Sequence, residues 1–328
     1  MYRTARKALT AALAALAWAA PNVYAQAPDK FPQRPIRAVV GYTPGGPVDV
    51  IIRPVGQKLS ELLGQPIVID NRPGANGNIG ASAVVKAAAD GYTLLVATKS
   101  QLTNNPTLYQ PMPFDALRDL QPISLIAQSP AALVVHPAVP AASLQELIAL
   151  AKAQPDKLRF SSAGNGSANQ LAAELFKLLA RIGMTHVPYR GGAPTLNAVV
   201  SAEVELTFIG VPSALPFIKA GRLRALALCA TERAGVLPQL PTTAEAGLPG
   251  LESSSGSGLL APAGTPGGIV RLLHAATVRA VNSPDVREKL VGQGLDIIAN
   301  TPEQFGAVLR EETARWSKVI KAARIKVD

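Results

Sequence analysis

Cysteine, aromatic rings and clustered charge are all scarce in this chain of 328 residues. A single cysteine, Cys229, excludes an intrachain disulfide. Its place in the apolar run 226–229 marks it as a buried, inert thiol. Aromatics make up 5% of the residues, and the basic residues are scattered without a run of five, which argues against a nucleic-acid surface. The three histidines, His136, His186 and His274, show no metal-ligand spacing. No Gly-Lys-Ser/Thr follows a glycine loop, and no G-x-S-x-G elbow occurs. Gly74 to Gly80 runs G-x-x-G-x-x-G, and Gly164 onward runs G-x-G-x-x-N; neither is the dinucleotide fingerprint. Asp and Glu fall mostly on helix surfaces or at caps, so no nucleophile, base and orienting acid gather in the pattern. Nothing here speaks for an enzyme or for a bound metal.

What is present begins with an export signal. Arg3, Arg6 and Lys7 form a basic start, residues 8–20 a short apolar core, and Val23-Tyr24-Ala25 a small-residue cleavage site. Residues 1–25 are therefore expected to be a signal peptide, with Gln26 as the mature start. Removing its three basic residues takes the net charge from +10 to +7. No later run is apolar for long enough to span a bilayer. A soluble, exported, basic protein is expected, which suits acidic ligands or simply keeps the protein in solution.

The chain is organised around Tyr42-Thr43-Pro44-Gly45-Gly46-Pro47-Val48-Asp49. An apolar strand-like run, 36–40, leads in, and a helix-like run to Leu63 leads out. Glycines at such a turn let the backbone approach a ligand, because no Cβ stands in the way. The free N–H groups at the start of the next helix favour an anion there. Asp49 would cap and brace that first turn or touch the ligand. Similar glycine loops follow four later strands.

Strand-like and helix-like segments alternate along almost the whole mature chain, which predicts α/β architecture with largely parallel sheets. Expected strands include 36–42, 67–70, 93–98, 158–160, 186–189, 204–209, 223–230 and a short one at 258–261. The Pro-rich stretch 104–122 reads as irregular, and Leu133–Val135 as the opening of a second series. Ser143 with Glu146 three residues on predicts a capping box. Two series with glycine loops at their strand ends would face each other across a cleft and close by a hinge.

With these loops in hand the chain resembles the Bug-type periplasmic solute receptors, the substrate-binding components of tripartite tricarboxylate transporters. Its carriers are Tyr42 to Asp49, Asn71-Arg72-Pro73-Gly74-Ala75-Asn76-Gly77-Asn78-Ile79-Gly80, Asp90-Gly91-Tyr92-Thr93-Leu94, Val187-Pro188-Tyr189-Arg190-Gly191-Gly192-Ala193-Pro194, Pro241-Thr242-Thr243-Ala244-Glu245-Ala246-Gly247 and Ala261-Pro262-Ala263-Gly264-Thr265-Pro266. The resemblance spans nearly all of the mature chain. It implies a two-lobed Venus-flytrap fold, type II-like, with one mixed, mostly parallel sheet per lobe. The first lobe would take 26–124, the second 125–258, and 259–328 would return to the first.

The resemblance also implies a cofactor-free, monomeric receptor for a small organic anion (carboxylate, amino acid or aromatic acid) that serves membrane transporter subunits in the periplasm. First-lobe binding would fall to Tyr42, Thr43, Gly45, Gly46, Val48, Asp49, Asn76, Gly77 and Asn78, with Ser100 beside them. Second-lobe specificity would fall to Ser162, Gly164, Gly166, Ser167, Gln170, Arg190 and Gly210. Ser167 reads equally as a helix N-cap. Three departures stand out. The family usually has His at Gln170, a polar or acidic residue near Gly210, and large aromatics in Ser255-Gly256-Ser257-Gly258. Their loss, Gly256 included, is expected to enlarge or reshape that side of the cleft. Two further readings remain from the sequence: a ligand-presenting subunit for a membrane kinase, and a periplasmic enzyme acting on a small carboxylate.

Overall fold

The computed structural model describes residues 31–327. The expected signal peptide, residues 1–25, lies outside the described residues. β1 (Ile36–Val40) is buried along most of its length and feeds α1 (Pro47–Leu63). Proline at the start of α1 suits a turn whose N–H groups have no helical acceptor, and Gly64, at φ 66°, ends the helix in the left-handed region. The stripe Val48, Ile51, Ile52, Val55 and Leu59 repeats at helical spacing and is buried. β2 (Ile67–Asn71), a 3-10 turn (Ala75–Gly77), α2 (Asn78–Val85), β3 (Thr93–Thr98), α3 (Lys99–Thr103) and α4 (Asn105–Leu108) follow.

β4 (Leu120–Val135) then crosses into a second series. That series comprises α5 (Leu144–Ala153), β5 (Arg159–Ser162), α6 (Ala168–Ala180), β6 (Thr185–Pro188), α7 (Gly192–Val200), β7 (Leu206–Gly210), α8 (Val211–Lys219) and β8 (Arg224–Leu228). β9 (Ser254–Pro262) returns. α9 (Gly267–Asn282), α10 (Pro284–Gly292), β10 (Asp296–Ile297) and α11 (Pro302–Ala322) complete the chain. None of the described helices is long and apolar enough to cross a membrane.

The strands form two mixed sheets joined through β4. In one, β2, β1 and β3 run parallel and β3 meets β9 antiparallel. In the other, β6, β5 and β7 run parallel and β7 meets β4 antiparallel. Every antiparallel pairing involves β4 or β9. β4 pairs with β9 along Leu120–Pro130 and with β7 along Ala131–Val135, so a single strand belongs to both lobes.

This crossing strand corrects two expectations. The second series does not open at Leu133, and the stretch read as irregular to residue 122 already contains the start of β4. Pro122 and Pro130 disguise the strand. Pro122 sits where the register with β9 shifts, and Pro130 at the last pair with that strand, both places where a missing N–H is tolerated. β9 is likewise nine residues rather than the four expected, because pairing on both sides overrides the weak strand preference of its serines and glycines.

Each lobe has its own core. Val39, Leu95, Leu125, Leu260, Phe305 and Leu309 pack in the first. Leu133, Phe160, Phe176, Phe208, Trp316 and Ile320 pack in the second. α11 therefore buries its first half in one lobe and its second half in the other. Ser143 caps α5 by accepting from Glu146 N–H, while the Glu146 carboxylate reaches the N–H of Ala142 at 2.7 Å. Cys229 is buried and free, and burial pushes its thiol pKa up.

Candidate functional site

Two first-lobe loops, far apart in sequence, meet backbone to backbone. A Cβ on Gly41 would lie 2.6 Å from Gly77 Cα, and one on Gly80 would lie 3.0 Å from Gly41 Cα. Glycine at these points lets the end of β1 lie against the turn that opens α2. The turn itself is wound left-handed: φ is 131° at Gly74, 46° at Ala75, 48° at Asn76 and 89° at Gly77. Positive φ at two side-chain-bearing residues costs energy and is held by surrounding bonds. Asn105 supplies several of them. Its Nδ2 donates to Asn78 Oδ1 at 2.7 Å and to the Asn76 carbonyl at 3.1 Å, and its Oδ1 accepts from Asn76 Nδ2 at 2.8 Å. Tyr42 Oη ties the other loop in, 3.0 Å from Thr98 Oγ1 and 3.4 Å from the Asn76 carbonyl. Burial raises the Tyr42 pKa to about 12, so the phenol stays protonated and can donate.

Asp49 is the brace of the β1–α1 loop. It is 2% exposed. Its Oδ2 accepts from Gly45 N–H at 2.8 Å and from Arg53 at 2.7 and 2.9 Å, and its Oδ1 accepts from Asn71 Nδ2 at 3.2 Å. Burial would raise its pKa, but the bonds from Gly45, Arg53 and Asn71 outweigh that and hold it below the ordinary value. Of its two sequence roles, bracing is the one the geometry displays. The charge is offset by Arg53, so it does not repel an anion arriving at the helix start. Gly45 has φ 82° and open space around it; Gly46 has an ordinary φ of −77°. Among the described residues, the first-turn N–H groups of Val48 and Asp49 have no acceptor. Thr43 is exposed at the loop tip. Ser100 opens α3 with its hydroxyl 3.2 Å from Thr98 Oγ1, beside the Tyr42 phenol.

The second-lobe residues divide into framework and surface. Ser162 is fully buried, and its hydroxyl lies 3.1 Å from the Gly164 carbonyl and 2.6 Å from His186 Nε2. Ser167 is the N-cap of α6, its hydroxyl accepting from Gln170 N–H. Gln170 turns inward, with Oε1 accepting from Gly166 N–H at 2.7 Å. A Cβ on Gly166 would meet Leu108 at 2.7 Å and Val327 at 2.9 Å, so this glycine serves close packing. The hydroxyls and amide expected to reach a ligand are thus engaged within the loop. Gly164, at φ 113°, is half-buried, whereas Asn165 and Arg190 are exposed. Arg190 is exposed and, among the described residues, has no carboxylate partner. It precedes Gly191, at φ 106°, and the start of α7. Gly210 ends β7 and is the N-cap of α8, and a Cβ there would have only Pro212 and Ser129 atoms nearby, at 3.8 Å.

Gly256 lies on β9, in the segment where an enlarged or reshaped cleft is expected. A Cβ on it would lie 3.0 Å from Gln128 Cβ, and one on Gly258 would overlap the Phe305 ring. Both glycines are therefore closely packed on this strand. Sequence reasoning also missed Lys99. It is 3% exposed, and its Nζ donates to Glu312 Oε1 at 2.7 Å and to Ser254 Oγ at 2.8 Å. Among the described residues no cluster of side chains is arranged to hold a metal.

The model of the tripartite tricarboxylate transporter family receptors matches residues 51–325. The chain belongs to this family. BugT of Bordetella pertussis is 37% identical over 304 residues, which cover 91% of this chain and 92% of that protein. The adipate-bound structure of R. palustris Rpa4515 is 38% identical, with a TM-score of 0.79, over 90% of this receptor and 99% of that chain. MatC of Rhodopseudomonas palustris, solved with bound malate, is 33% identical with a TM-score of 0.76, over 88% and 100% of the two chains. The two-lobed fold is thus that of receptors whose solved relatives hold small carboxylates.

Proposed function

We propose that this receptor captures a small organic carboxylate between its lobes in the periplasm and delivers it, as a monomer, to membrane transporter subunits. The observation that carries the reading is the α1 N-terminus. A 17-residue helix begins at a glycine turn, its first N–H groups are unpaired, and the nearby carboxylate is already neutralised by Arg53. The adipate and malate bound by two relatives fit that chemistry. Asn76 to Asn78 would close the carboxylate site from the side, and Gly164, Arg190 and Gly210 would read the rest of the molecule. Residues 1–25 would direct export.

A thermal-shift screen tests this on mature protein stripped of ligand by unfolding and refolding. The panel is adipate, malate, tricarboxylates, acidic amino acids and aromatic acids. A ligand at ~100 times its dissociation constant should add roughly 2.7 kcal/mol of stability. A response confined to one chemical class supports the reading and names the ligand. No response to any acid would overturn it.

A further inference from the structure

The second-lobe loop is closed by a side chain that the motif pattern did not single out. His186 lies on β6 opposite Phe160 of β5, and the two rings stack with centroids 4.9 Å apart. Its nitrogens face two different loop residues. Nε2 is 2.6 Å from Ser162 Oγ, and Nδ1 is 3.3 Å from Gln170 Nε2. The far end of the Gln170 amide is fixed, because Oε1 accepts from Gly166 N–H. Gln170 therefore presents an N–H to the ring, and Nδ1 must accept it. A neutral imidazole carries its one proton on the other nitrogen, so Nε2 donates to Ser162 Oγ. The Ser162 proton is left for the Gly164 carbonyl, and Gly164 N–H returns to the same oxygen at 3.2 Å. The side-chain donors run one way, from Gln170 through His186 and Ser162 to the Gly164 carbonyl, and backbone N–H groups of Gly166 and Gly164 donate into the two ends.

We propose that His186, as its neutral Nε2–H tautomer, is the positioning residue of the ligand loop, holding Gly164 and Gly166 in place through Ser162 and Gln170. The proposal deepens the carboxylate-capture reading and rests on it, because the loop is taken as the second-lobe wall of the cleft. Protonating Nδ1 would set N–H against N–H at Gln170 and break the chain at its centre. The surroundings oppose that proton. Burial, with the Lys177 ammonium nearby, lowers the His186 pKa to about 4. The charged groups beside the ring are on α6, where Lys177 pairs with Glu174 at 2.9 Å; β5 turns Phe160 and Ser162 toward it.

The test is long-range proton–nitrogen spectroscopy of histidine-labelled mature protein, without ligand, from about pH 5.5 to 8. Wild type is compared with His186→Phe and Gln170→Glu. The phenylalanine variant keeps a ring against Phe160 and assigns the His186 signals by their loss. Wild type should show the Nε2–H tautomer throughout, with no titration near the ordinary histidine value. In Gln170→Glu the new carboxylate accepts at Nδ1 while still accepting from Gly166, so the His186 pKa should rise above about 7. An Nδ1–H ring in wild type, or an unmoved pKa in Gln170→Glu, would overturn the proposal. Amide exchange supplies the second readout. His186→Phe should speed exchange at Gly164 and Gly166 by about tenfold or more while leaving α5 unchanged. Unchanged exchange at both glycines would overturn it. Both readouts need no ligand, so a missing response to carboxylates would count against the capture reading and not against His186.

Discussion

Lys99→Met should destabilise the protein by about 3 kcal/mol. The Lys99 ammonium is buried with Glu312 at 2.7 Å and Ser254 at 2.8 Å. Removing one partner of a buried pair typically costs about 3–5 kcal/mol, because the other charge stays in the interior unpaired. Glu312 retains Arg315 at 3.8 Å, and Ser254 retains Gln128 at 3.3 Å, which places the loss at the low end. The position matters as much as the pair. Glu312 lies on α11 between Leu309, in the first core, and Trp316, in the second. Ser254 and Gln128 lie on the two crossing strands. The pair therefore fastens the elements that join the lobes. Urea unfolding is the assay, followed by circular dichroism for the whole chain and by Trp316 fluorescence for the second lobe. Adding Glu312→Leu should recover at least half of the loss, about 1.5 kcal/mol, because the stranded charge is removed as well. A loss below about 1 kcal/mol in the single variant, or a double variant no more stable than the single, would refute the buried-pair reasoning.

Three further outcomes are expected. Gly45→Val forces a β-branched residue to φ 82° and should cost about 2 kcal/mol while weakening carboxylate binding tenfold or more. Gly46→Ala, at φ −77°, should cost less than about 1 kcal/mol, and equal stability losses in calorimetry would contradict the assignment. Asp49→Asn should lower stability at neutral pH by about 1–2 kcal/mol. Because the Asp49 pKa is depressed, its contribution is present above the ordinary carboxylate value and lost as pH falls, so the variant should show a flatter acid limb in denaturation. His186 is also depressed, from 6.5 to about 4, so its neutral form stabilises the fold above 6.5 and that stability fades as pH falls through 4. The loss should be about 2 kcal/mol after allowance for solvent and should vanish in His186→Phe; an identical pH profile in the two proteins would contradict it.

The parts of the fold written in local chemistry were legible. Glycines and proline at 45–47 punctuate the change from strand to helix. Ser143 and Ser167 sit where caps belong, and both cap. β4 and β9 were not legible, because prolines and small residues carry a weak strand signal and pairing across the molecule decides them. The interior contacts were hidden for the same reason. Lys99 meets Glu312 across 213 residues of sequence, and His186 meets Ser162 across 24. Gly256 was hidden in another way: the sequence displays a missing large side chain, but not that Gln128 and Leu125 pack close against the glycine.

Carboxylate capture at the start of α1 is tested most directly by the amide signals of Val48 and Asp49. The measurement is a proton–nitrogen titration of the stripped, mature receptor with adipate, malate and whichever acid raises its melting temperature. Capture predicts downfield shifts at both amides that saturate together, at the same concentration as the thermal response. Saturable binding that leaves both amides unmoved would contradict it.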